Sequence, residues 1–155
     1  MDTFLGNLVR RGWTLEARSD GAAVDAAALR GASEELRRFL CSYQTLTNAA
    51  ETRWLNAADD FGRTPASGFA WNEFERIALA AAEGDVAWIR DVQAFWSMHL
   101  PILMSVENRY EYVAYCTAGS HAGAYVHGAE PEFDDVTVVA TSLDGFKAWV
   151  LSNVV

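Results

Sequence analysis

Cysteine is scarce in this chain, lysine scarcer still, and no apolar run approaches the ~20 residues needed to cross a bilayer. The two cysteines of the 155 residues, Cys41 and Cys116, are too few and too far apart for a disulfide framework or a CxxC site. They read as reduced, buried thiols. The stretch MDTFLGNLVRRGW puts an acid at position 2 and arginines after the apolar residues. That is the reverse of a secretory signal, so a cytoplasmic protein with no membrane partner is expected. The patterns GxSxG, GxGxxG, HExxH and the Walker loop are all missing, so no nucleophile elbow, dinucleotide turn, zinc helix or phosphate cradle is encoded in these forms. There is no internal repeat and no low-complexity tract. A composition of 51% apolar and 21% charged residues is that of an ordinary globular chain, and residues 1–155 read as one domain.

What is present in excess is negative charge, and it is unevenly placed. Six arginines and six acids cancel in residues 1–50, while six cations face fifteen acids in residues 51–155, so the whole net charge of −9 falls there. Such a surface repels nucleic acid and anionic membrane and attracts cationic partners.

The chain reads as α-rich first and β-rich later, with a closing helix. DTFLGNLVRRGW is a short amphipathic helix, and SDGAAVDAAALRGA a linker or weak helix. Ser33 reads as the N-cap of EELRRFLCSY, with Glu34 and Glu35 in the first turn. TRWLNAADDF is a strand running into an acidic turn, and GRTPASG a loop. In WNEFERIALAAA the residues Trp71, Phe74, Ile77 and Ala81 recur at helical spacing. Gly84 ends that helix, and Asp85 caps VAWIRDVQAFW, in which Trp88, Val92 and Phe95 form a stripe with Ile89 and Trp96 beside it. HLP reads as the stop of this helix, with His99 near its negative end. PILMSVE, YEYVAYC, GAYVHG and VTVVATS then form an antiparallel meander. Ser142 caps a last helix that turns Phe146, Trp149 and Val150 inward. The fold class is α+β: a single mixed or antiparallel sheet of about five to six strands with helices packed on it.

The stretch HGAEPEFDDV, His127 to Val136, holds Glu130, Glu132, Asp134 and Asp135 with no lysine or arginine among them. Glu130, Glu132 and Asp134 have the spacing of the first calcium ligands of an EF-hand loop. The glycine position holds Asp135 and the closing glutamate position holds Thr141, which excludes that loop. Four adjacent acids on one exposed connection share solvent and stay ionised, so a solvating face is the plainer reading, ahead of acid–base catalysis. His121 and His127, six residues apart, face the same side of an ideal strand, but a third ligand is undefined and no metal site is assigned.

Residues 69–150 resemble the SUKH superfamily, in the group similar to the yeast cell-wall assembly regulator. The resemblance rests on FAWNEFE, FWSMHLPILMSV, YEYVAY, VHGAEPEF and VTVVATSLDGFKAWV. Trp96, Pro101, Gly128, Glu130, Pro131 and Phe146 fall where that family carries its signature, and none of these is a catalytic motif. The amino-terminal part lacks the family's usual LPxxYxxFLxxxNGG opening. The resemblance implies an α+β domain, and many bacterial members look like immunity proteins of polymorphic toxin systems. The expectation is therefore a non-catalytic protein without cofactor that neutralises a basic toxin domain of the nuclease type, whose cleft must attract phosphates. Glu130, Glu132, Asp134 and Asp135 would face it, with Phe133 as an anchor and Asp59 and Asp60 adding to the acidic surface. Trp96, Pro101, Gly128, Pro131 and Phe146 would be structural. Two rivals remain: a cellular adapter of the same fold, and a small enzyme using Glu73 or Glu130 with a histidine.

Overall fold

The structure, a computed structural model, describes residues 2–19, 24, 27–63, 65 and 68–155. Part of the expected linker or weak helix, and part of the GRTPASG loop, lie outside the described residues. The helices are α1 (Thr3–Arg10), α2 (Glu34–Leu40), α3 (Glu73–Ala81), α4 (Val86–Ser97) and α5 (Leu143–Asn153). The strands are β1 (Thr14–Glu16), β2 (Thr45–Thr47), β3 (Arg53–Leu55), β4 (His99–Ser105), β5 (Glu111–Cys116), β6 (Tyr125–Ala129) and β7 (Thr137–Ala140). They form one seven-stranded sheet in chain order, antiparallel throughout.

The α+β reading holds, and the sheet is larger than the five to six strands expected. The additional strands, β1 and β2, are three residues each and together bury only Leu46 fully. So short a strand carries no alternation to detect.

Local chemistry explains where the helices start. Ser33 Oγ accepts the Leu36 N–H at 3.1 Å, Asp85 Oδ1 accepts those of Ala87 and Trp88 at 3.0 and 3.1 Å, and Ser142 Oγ accepts that of Gly145 at 3.1 Å. Each bond satisfies donors that the first turn leaves orphaned. Glu83 and Gly84 both take positive φ after α3, which turns the chain sharply into α4. Among the described residues, no helix is long and apolar enough to cross a membrane.

Both faces of the sheet are covered, which is why Leu100 to Ser105 are buried without a break. Leu100, Leu103, Val113, Tyr115 and Tyr125 pack with α1, α2 and α5, where Phe146 stacks on Tyr125 at 4.8 Å. Met104, Tyr112, Ala114, Cys116 and Val126 pack with Phe74 of α3 and Trp96 of α4. The register shifts between Pro101 and Leu103. Proline has no N–H to give the ladder and is tolerated beside such an irregularity.

Two expectations about α4 need correction. The helix ends at Ser97 and His99 already opens β4, so HLP belongs to the strand. Trp96 is the helix's buried residue, 8% exposed, while Trp88 is 48% exposed. The apolar cluster beneath α4 extends along the helix from Trp96 only as far as Val92, so the turn carrying Trp88 has no core to enter.

Trp96 lies 4.9 Å from the Tyr112 ring and 6.5 Å from that of Phe133. Trp96→Ala should therefore cost about 3–5 kcal/mol, as truncation of a large buried aromatic does. Chemical denaturation measures it, and a loss below ~1 kcal/mol would mean that this ring is not part of the core.

Candidate protein-binding surface

The acidic stretch leaves the sheet at Ala129, the end of β6, and its shape is set by three contacts. First, Tyr112 lies opposite Gly128 across the β5–β6 ladder, and its ring covers the glycine. A Cβ at position 128 would stand 2.5 Å from Tyr112 Oη and 2.8 Å from the Phe133 carbonyl oxygen. Only glycine fits. Second, Tyr112 Oη donates to that same Phe133 carbonyl. Burial, then the nearby Asp134 charge, pushes this phenol far above its ordinary value, so it stays a donor. Third, Glu130 closes the strand end twice: its N–H donates to Tyr110 O at 2.8 Å and its Oε1 accepts the Tyr110 N–H at 2.9 Å. The Glu130–Pro131 peptide bond is cis.

Phe133 was expected as an exposed anchor, and the structure overturns this. Phe133 is 7% exposed and stacks on Phe74 at 5.0 Å with an interplanar angle of 15°. It holds the loop from beneath. Around the buried Phe133, its neighbours Glu132 and Asp134 are exposed, and Asp135 is exposed as well. Among the described residues, none of these three carboxylates is in an ion pair. Arg109 lines, with Glu130, Glu132 and Asp135, an open depression of about 260 Å³, and it is paired with Glu111 at 3.7 Å.

Asp59 and Asp60 do not join this surface. They follow β3 at its Leu55 end, whereas residues 130–135 leave β6 three strands away, at the edge of the sheet where β3 begins. Asp59 is paired with Arg18 at 2.8 Å, their side chains 23% and 10% exposed. Asp60 Oδ2 accepts the Ala57 N–H at 2.7 Å, and burial pushes its carboxyl upward. Asp60 closes the turn Ala58–Asp60, and Asp59 ties that turn to Arg18.

The histidines are separate too. His127 lies within β6 and its Nε2 is 3.0 Å from Glu111 Oε2. His121 lies in the turn before β6, near enough to His99 to act on its titration. The strand expected between His121 and His127 begins only at Tyr125, so the ideal-strand geometry does not apply. His99 Nδ1 is 2.6 Å from the Phe95 carbonyl at the end of α4, and burial holds this imidazole below its ordinary pKa. Its Nδ1 donates to that carbonyl, and burial disfavours the cationic ring there. Among the described residues, no three His, Cys, Asp or Glu side chains converge as metal ligands would.

Glu73 Oε2 accepts the Ala70 N–H at 3.2 Å and pairs with Arg76 at 3.1 Å, which makes it a helix-entry residue. Neither Glu73 nor Glu130 is hydrogen-bonded to a histidine. Cys116 is buried in β5, which raises its thiol pKa and disfavours the thiolate. One feature without a sequence signature is a cleft of about 380 Å³ lined by Trp71, Glu75, Trp96 and His99. Burial raises the Glu75 carboxyl there. No family model, curated protein or solved structure matches the chain.

Two outcomes follow. Gly128→Ala must displace the Tyr112 ring and should cost about 1–3 kcal/mol by denaturant titration. Tyr112→Phe leaves the Phe133 carbonyl unpaired, at about 1–3 kcal/mol, and the double variant should lose less than the two losses added.

For His99 the folded pKa is the lower one, so on acidification the unfolded chain takes up its proton first. Stability is unaffected above the ordinary value of 6.5 and falls as pH drops from there towards the folded pKa. His99→Phe should therefore lose less melting temperature than the parent between about pH 7 and pH 5. Equal losses would show that His99 does not contribute.

Proposed function

We propose that this protein is a non-catalytic binding domain of SUKH-like type, acting as the immunity partner of a basic toxin domain of the nuclease class. The observation that carries the reading is the set Glu132, Asp134 and Asp135: exposed, in no ion pair among the described residues, and held on a loop whose backbone is fixed by Tyr112 and Glu130. A charged surface fixed before binding loses little entropy on association. The net charge of −9 adds a long-range field that accelerates encounter with a cationic cleft. An adapter of the same fold would share this surface and differ in its partner, and the gene beside this one separates the two. A neighbour encoding a protein with a carboxy-terminal toxin domain favours immunity.

Stopped-flow association with that toxin domain tests the charges directly. Glu132→Gln with Asp134→Asn should slow association and flatten its dependence on ionic strength, because rim charges act on the on-rate. The melting temperature should hardly move, since exposed carboxylates contribute little to stability. Glu130→Gln should behave differently and lower the melting temperature, because its carboxylate accepts a backbone N–H. Unchanged association kinetics in the double variant would overturn the proposal.

A further inference from the structure

The acidic loop leads directly into β7, and β7 is an edge. It is the last strand in the sheet order and pairs only with β6. Among the described residues, the backbone of Val136 to Val139 makes no hydrogen bond outside that ladder. Natural edge strands are commonly protected by charge, proline or brevity. The sequence of β7, Thr-Val-Val-Ala, has neither charge nor proline, and its Val138 is 40% exposed. What protection there is comes from its four-residue length and from a register shift that leaves Val139 without a partner.

The surroundings select what could pair there. Asp134 and Asp135 precede β7, and exposed Asp144 follows it in the first turn of α5. A second copy of this chain is disfavoured in either orientation. A parallel copy sets Asp134 and Asp135 beside their own equivalents, and an antiparallel copy sets them beside Asp144. The other edge, β1, lies between Arg11 and Arg18, and its one charged residue, Glu16, accepts a bond from Thr45. Of the two edges, β7 is the one with uncompensated negative flanks.

We propose that β7 is extended by a short strand of the basic partner, in which β-branched residues are flanked by lysine or arginine. Main-chain bonds to the free edge supply affinity, an apolar side chain covers Val138, and the flanking cations meet Asp134 and Asp135. This rests on the basic-partner reading above and adds how that partner is engaged.

Amide hydrogen exchange on the full chain tests it, with the peptide Lys-Lys-Thr-Val-Thr-Val-Lys-Lys as probe and its Glu-flanked counterpart as control. The basic peptide should slow exchange at amides between Val136 and Val139 by about tenfold or more, an effect that weakens with salt. The acidic control should have no effect. Val138→Lys, at an exposed position, should keep its melting temperature and weaken the basic peptide about tenfold. Salt-dependent binding with protection confined to residues 130–135 would overturn the strand pairing and leave the acidic surface intact. Failure of the basic peptide to bind, or equal binding of both peptides, would overturn the pairing and the basic-partner reading together.

Discussion

The contact of Tyr112 with Gly128 and Phe133 is the one on which the acidic surface depends. A tyrosine ring can lie across the neighbouring strand only where that strand has no side chain, and its hydroxyl then reaches a carbonyl in the following loop. With the Phe133 carbonyl held, the Phe133 ring enters the core against Phe74. With Phe133 in, the loop is held so that Glu132 and Asp134 are exposed. The core thus sets the positions of surface charges without touching them.

The acids fall into two kinds. Asp59, Asp60, Glu73, Glu107, Glu111 and Glu130 each have a partner inside the fold, a cation, a histidine or a backbone N–H. Among the described residues, Glu132, Asp134 and Asp135 have none, nor does Asp144 at the far end of β7. The net charge alone does not make this distinction, and it separates charge that serves the structure from charge available to a partner.

The two-sided burial of the sheet gives the surface its rigidity. Helices α1, α2 and α5 cover one face and α3 with α4 the other, so β4, β5 and most of β6 are interior strands. The loop grows from the end of one of these strands, and an interior strand is a stable base for a binding loop.

Much of this was legible locally. Ser33, Asp85 and Ser142 announce helix starts because a cap bonds within its own turn. The β4–β7 meander is legible because neighbouring strands are neighbours in sequence, and Phe146 because its helix carries the spacing of a buried stripe. Strand β1 was not legible, since it meets β2 from thirty residues away and is too short to alternate. Phe133 read as an anchor because a lone aromatic among acids has the same appearance whether it points in or out. Asp59 and Asp60 read as surface acids because neither the Arg18 side chain nor the burial of their turn is written nearby. The sequence by itself determined the order of the elements, their caps and the excess of negative charge, all of which depend on residues a few positions apart. Only the tertiary structure decided which acids are free, since that depends on which side chains meet across strands distant in the chain.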